Sequence, residues 1–319
     1  MGNEVDAVST GTAAAEGVTD ALFAAVADTV REVVAAEVVP RWRRLADADI
    51  VQKNGPHDLV TTADRLAEER LTERLTALLP GSVVVGEEAV SADPTLLGRL
   101  RGADPVWVID PIDGTAAFVR GDVGFSTLVT LVRGGQPVAC WTYAPQLDLF
   151  ATARRGQGAH LDGKRLRTAT GREPLRVWIS NPVFRTDGER AVIGRLTAAG
   201  VTTVPCLTSA GLGYVEVARG LADGVAFFWE APWDHAAGLL LVTEAGGTSL
   251  TTAGEPFGVP GGNALPFTVA RDEETARRIV GLLAAGGPAT PGAPGASAGP
   301  GTPGAPGDSG TPGSEAAGR

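Results

Sequence analysis

Between Ala21 and Val38 the apolar residues fall at Ala21, Leu22, Val26, Val30, Val33, Val34 and Val38. That near-3.6 spacing predicts one buried helix face, ended by Pro40. A second helix is predicted after Thr61, with Leu66, Leu71, Leu75 and Leu78 on one side and Pro80-Gly81 as its stop. Residues 82–85 read as a strand running into Gly86-Glu-Glu88, and residues 106–109 as a short buried strand ending at Asp110. Residues 125–132 and 137–143 flank Arg133-Gly-Gly135, which predicts a hairpin. Further short strands are expected at 177–180, 224–228 and 268–270, with helices at 187–199, 209–219, 235–245 and 273–284. Helices and strands mix without a regular βαβ repeat. The expected fold is therefore layered α+β.

Composition divides the chain into three. Residues 1–17 are small and polar and are expected to form a flexible arm. Residues 18–285 are patterned as a globular domain. Residues 286–319 are almost wholly Gly, Pro, Ala, Ser and Thr. Such a tail buries too little apolar surface to offset its chain entropy and is expected to be disordered. No apolar run approaches the roughly 18 residues of a membrane span. The start of the chain lacks the basic and apolar stretches of a secretory signal. The two cysteines, Cys140 and Cys206, lack metal-ligand spacing and suit a reducing compartment as buried small residues. A cytoplasmic protein is expected. The net charge of −10 disfavours nucleic acid as a partner, but leaves a phosphorylated small molecule open if divalent cations intervene.

The candidate chemistry is in carboxylates. Asp110 and Asp113 follow a strand three residues apart, with Pro111 fixing φ between them and Gly114 permitting a tight turn. Two hard oxygen ligands at a strand end suit Mg²⁺. A helix starting at Thr115 would turn its free amides to the same place. In isolation this reads first as an ordinary Asp-Pro/Asp-Gly turn. Glu87 and Glu88 alone read as solvated surface. Thr61-Thr-Ala-Asp64 fits a capping box, Asp234 fits a helix N-cap, and His235 fits packing or surface.

Together these segments say more than each alone. Asp58-Leu-Val-Thr-Thr-Ala-Asp64, Gly86-Glu-Glu88, Trp107-Val-Ile-Asp-Pro-Ile-Asp-Gly-Thr115 and Trp233-Asp-His-Ala-Ala-Gly238 occur in that order. So arranged, the chain resembles the inositol monophosphatase family. The resemblance implies an α/β/α/β/α layered sandwich, usually a homodimer, that hydrolyses a small phosphorylated metabolite with Mg²⁺. It implies metal ligation by Glu87, Asp110, Asp113, Asp234 and the carbonyl of Ile112. It makes Asp64 and Thr115 the pair that activates the attacking water. Asp113, Gly114, Thr115 and Asp234 would hold phosphate and substrate.

Some residues depart from the family pattern. Ala117 stands where an Asn is usual. Glu230 lies closer to Asp234 than the ring-contacting Glu of inositol-hydrolysing members, which puts inositol itself in question. A phosphorylated cyclitol or sugar alcohol is the leading substrate class. Histidinol phosphate, fructose 1,6-bisphosphate and adenosine 3′,5′-bisphosphate are alternatives. A non-catalytic binding protein on the same fold is the reading from another class, and it would be marked by lost carboxylates.

Overall fold

The computed structural model describes residues 18–53, 59–171, 173–180, 185–205 and 208–285. The expected arm and tail, Asp58 and Cys206 lie outside the described residues.

Helix α1 (Asp20–Val33) starts where the Thr19 hydroxyl accepts the Leu22 amide at 3.1 Å. It does not run unchanged to Pro40. Residues Val34–Val38 widen into a π turn and Val39–Arg41 tighten into a 3₁₀ turn. Proline lacks the N–H and crowds the carbonyl four residues back, so regular α geometry is lost before it. A small antiparallel pair, β1 (Ile50–Gln52) and β2 (Leu59–Thr61), leads into α2 (Thr62–Leu78).

The larger sheet then begins with β3 (Val83–Gly86), followed by α3 (Glu87–Ala92), β4 (Val106–Asp113) and α4 (Thr115–Arg120). It continues with β5 (Ser126–Arg133), β6 (Gln136–Ala144), β7 (Leu149–Arg154), β8 (Gly158–Leu161) and β9 (Lys164–Arg165). These seven strands lie in sequence order, with β3 and β4 parallel and the rest antiparallel. The predicted hairpin is β5–β6. Gly134 and Gly135 both take positive φ, at 54° and 74°, as the two-residue turn that matches strand twist demands.

A second, five-stranded sheet is ordered β11-β10-β12-β14-β13. Its elements are β10 (Arg176–Ile179), α5 (Asp187–Ala198), β11 (Thr202–Pro205), α6 (Ala210–Ala218), β12 (Gly224–Phe227), α7 (Pro232–Glu244), β13 (Thr248–Thr251), β14 (Phe267–Ala270) and α8 (Glu273–Ala284).

Three apolar clusters stack these elements into five layers. One joins α1 and α2 to the outer face of the larger sheet through Trp107, Ile109, Val129 and Trp141. A second buries α6 and α7 between the two sheets. A third closes α5 and α8 over the far face of the smaller sheet. This is the α/β/α/β/α sandwich expected from the resemblance. Along β4 the alternation is visible residue by residue: Trp107 and Ile109 pack with the α1/α2 layer, Val106 and Val108 with the α6/α7 layer. No helix of the described residues is long and apolar enough to cross a membrane. Cys140 is a buried core residue, and burial pushes its thiol up to about 12.

Candidate active site

Strand β4 does not stop at Ile109. It continues through Asp113, and the register slips on the way. Asp110 faces Leu128 and Asp113 faces Ser126, so three steps along β4 match two along β5. In a flat strand residues three apart point to opposite faces. The extra residue is a β-bulge, and it returns Asp113 to the same face as Asp110. Both aspartates thus look toward the α6/α7 layer. The Thr127 hydroxyl donates to the Pro111 carbonyl at 2.7 Å within the bulge. Gly114 then takes φ 92°, and a Cβ there would sit 2.9 Å from the Thr208 carbonyl oxygen. Both facts require glycine at this position.

The carboxylate of Asp113 is held by four donors. It accepts from the Ser209 hydroxyl at 2.5 Å, the Ser126 hydroxyl at 3.2 Å, and the Ala210 and Gly211 amides at 2.9 and 2.7 Å. The start of α6 therefore fixes its orientation. Asp234 lies on α7, but not as its N-cap. Ala231 holds that position, Pro232 occupies the first turn, and Asp234 is the third helical residue. Pro at the first helical position suits its missing N–H and carries the helix three residues further back than the pattern from His235 suggests. The Trp229 indole donates to Asp234 at 2.6 Å. One oxygen from each of Asp110, Asp113 and Asp234 falls within 4.8 Å of the others, all three residues being buried.

Asp64 does two jobs with its two oxygens. Oδ2 accepts the Thr61 amide at 2.8 Å and the Thr61 hydroxyl at 2.5 Å, completing the capping box. Oδ1 lies 3.3 Å from the Thr115 hydroxyl, 51 residues away. That hydroxyl has one proton and a second acceptor, the Ile112 carbonyl at 2.9 Å. Glu87, at the start of α3, is buried rather than a solvated surface group. Its carboxylate meets the Lys53 ammonium at 3.1 Å, and Lys53 also reaches Glu88 at 2.7 Å.

His235 is a packing residue. Its Nε2 lies 3.0 Å from the Trp229 carbonyl, which only accepts, so that nitrogen carries the proton. Nδ1 then accepts from the Tyr214 hydroxyl at 2.9 Å. Burial keeps the ring neutral, its pKa lowered to about 3. Glu230 is not one of the three carboxylates that converge within 4.8 Å. Its Oε2 accepts from the Gly262 amide, the Asn263 amide and the Asn263 side chain at 2.9–3.0 Å. Ala117 is buried in α4 and adds no polar group.

Three contributors escape sequence reasoning: Lys53, Ser209 and Glu68 of α2. Lys53 and Ser209 sit in segments without a motif. Glu68 had one signal, since it lies one helical turn beyond Asp64 on the same face.

Burial dominates the electrostatics. It pushes Asp64 and Glu68 up to about 7, against the hydrogen bonds each accepts. Asp110 and Glu87 rise well above the carboxylate range through burial and then through charge: Glu87, Asp113, Asp234 and Asp64 act on Asp110, while Lys53 partly offsets the rise at Glu87. Burial also raises Asp113 despite its four donors. Lys53 is itself raised, because the two glutamates outweigh the opposing cost of burial.

A folded-state pKa above the unfolded value of about 4 means that the native chain binds these protons more tightly. The stability they contribute is full below about 4 and is lost progressively as pH rises to about 7 and just beyond. His235 acts oppositely, but only between about 3 and 6.5. Without divalent metal, the thermal midpoint should therefore fall between pH 6.5 and pH 8, and millimolar Mg²⁺ should recover it. A metal-free midpoint that is flat or rising over that interval would contradict this account of the buried carboxylates.

Among the described residues, a divalent ion is one partner that would favour the ionised form of these buried acids. Set in the layered sandwich, Asp110, Asp113 and Asp234 form a candidate site for such an ion. Residues 15–283 match the family model described as the inositol monophosphatase family. An inositol-1-monophosphatase from Rhizobium meliloti is 36% identical over 218 residues, 64% of this chain and 76% of that protein. A fructose-1,6-bisphosphatase/inositol-1-monophosphatase from Aquifex aeolicus is 31% identical, over 66% of this chain and 78% of that protein. An IMPase structure from Thermotoga maritima, 25% identical, superposes with a TM-score of 0.66 over 82% of this chain and 94% of its own. The chain belongs to the inositol monophosphatase family.

Proposed function

We propose that this phosphatase is Mg²⁺-dependent and releases phosphate from a small cyclitol or sugar alcohol phosphate, of the myo-inositol 1-phosphate kind. The observation that carries the reading is Asp110. Its Oδ1 is buried without a hydrogen-bond partner, beside Asp113 and Asp234. A buried carboxylate oxygen with no donor is costly unless a cation meets it.

Asp110, Asp113, Asp234, Glu87 and the Ile112 carbonyl would hold the Mg²⁺ ions. Such ions, when bound, neutralise the ester and stabilise the attacking and leaving oxygens. The rest falls to the chain. Thr115 orients the attacking water and passes its proton to Asp64, whose value near 7 suits a general base at neutral pH. The amides of Gly114 and Thr115 face the phosphate oxygens, and Asp234 approaches the leaving hydroxyl. Asp113, fixed by four donors, keeps its orientation through turnover. Glu230 would offer Oε1 to a substrate hydroxyl while Oε2 anchors the loop 258–263. A cytoplasmic homodimer without a nucleic-acid or membrane partner completes the proposal.

The same machinery would serve fructose 1,6-bisphosphate, and the double name of the Aquifex relative favours including it. Phosphate release should be measured on myo-inositol 1-phosphate, fructose 1,6-bisphosphate, histidinol phosphate and adenosine 3′,5′-bisphosphate, each with Mg²⁺ and with chelator. Release of phosphate from the first that depends on Mg²⁺ is the expected result. Preference for another ester would reassign the substrate. No Mg²⁺-dependent release from any would overturn the reading.

A further inference from the structure

Glu68 has no part in the chemistry above, yet it is buried and ionisable, which is costly without a purpose. Its two carboxylate oxygens grip two consecutive amides of another segment. Oε2 accepts the Glu88 N–H at 2.9 Å, and Oε1 accepts the Ala89 N–H at 2.8 Å. Those amides immediately follow Glu87. On the other side the Glu68 carboxylate fills the space beside Gly86, where a Cβ would lie 2.3 Å from Glu68 Cδ. The glycine of Gly86-Glu-Glu88 is therefore the gap that admits this carboxylate.

Glu68 also sits one turn along α2 from Asp64. One rigid helix thus touches both halves of the site. Asp64 reaches Thr115 at the end of β4, while Glu68 pins the backbone that carries Glu87 at the end of β3.

We propose that Glu68 is a positioning residue for the metal centre: by clamping the amides of Glu88 and Ala89 it fixes the Glu87 carboxylate for the divalent ion and sets its distance from Asp64. This rests on Glu87 being a metal ligand, as in the proposed function. The physical cause is geometric. A carboxylate accepts from both amides at once. A glutamine of the same shape accepts from one and turns its own NH₂ toward the other, opposing donor to donor. The segment then rotates away from that amide, and Glu87 moves with it.

The test is Glu68→Gln in the full chain. Mg²⁺ affinity is measured by calorimetry without substrate, alongside the thermal midpoint of the metal-free protein. Loss of a residue that orients a ligand typically weakens metal binding about 10–100-fold. That range is the expected result, with part of the turnover recovered at high Mg²⁺. A lowered midpoint with unchanged Mg²⁺ affinity would make Glu68 merely structural and overturn the inference. Should the glutamine variant fail to fold, Glu68→Asp keeps the charge but withdraws it by one methylene, and the same two outcomes apply. Wild-type protein that binds no Mg²⁺ would sink the metal reading and this inference together. Wild-type that binds it normally while both variants match it would sink this inference alone.

Discussion

Replacing Asp110 with Asn should lower turnover by about 10³-fold or more, since losing several kcal/mol of charge stabilisation costs a factor of ten per ~1.4 kcal/mol. The same substitution should make the metal-free protein more stable. Asp110 Oδ1 has no donor, and four neighbouring carboxylates raise the cost of its charge. An amide carries no charge for those carboxylates to repel, and relief of about 1 kcal/mol in a chain of this size is worth roughly 2–4 °C in midpoint. Activity assays and a melting curve on one preparation read both effects. Opposite signs identify a residue kept for function at the expense of the fold. Retained activity would remove Asp110 from the metal centre. Lost activity with lowered stability would mean that it is simply part of the core.

Asp64→Asn should reduce kcat by about 10²- to 10⁴-fold, the range for removing a general base. The amide keeps an oxygen for the Thr61 N–H, and Asn caps helices as well as Asp does, so the fold should survive. Mg²⁺ affinity should hold, because the Asp64 oxygens are taken up by Thr61 and the Thr115 hydroxyl. Steady-state kinetics at saturating Mg²⁺ and calorimetry separate the two. A kcat within about threefold of wild type would place the base elsewhere.

The candidate site was half legible in the sequence because half of it is local. Asp110, Asp113, Gly114 and Thr115 are neighbours in the chain, and the strand before them is apolar enough to read. Their meaning was not local. Whether the pair shared a face depended on the bulge, which the Pro-Ile insert hides. Ser209 lies 96 residues from the Asp113 it orients, and Lys53 lies 34 residues from Glu87. Pairings across such distances leave no periodic trace. Among the elements, α8 matched its pattern and α7 began three residues early, because Pro232 extends a helix backward where a search for N-caps sees Asp234. The pattern does not predict strands β1, β2, β7, β8, β9, β11 and β13. Of these, β11 and β13 are four-residue edge strands with weak alternation.

Helix α7 carries Asp234 at one end, while the rest of its length is wedged between the two sheets. Its fit is close: a Cβ on Gly238 would fall 2.0 Å from the Tyr214 ring. The place of Asp234 opposite the strand-borne Asp110 and Asp113 is therefore set by the hydrocarbon packed beneath the helix. The helix works as a gauge block: a methyl group added at Gly238, deep in the interior, would displace the end that carries Asp234.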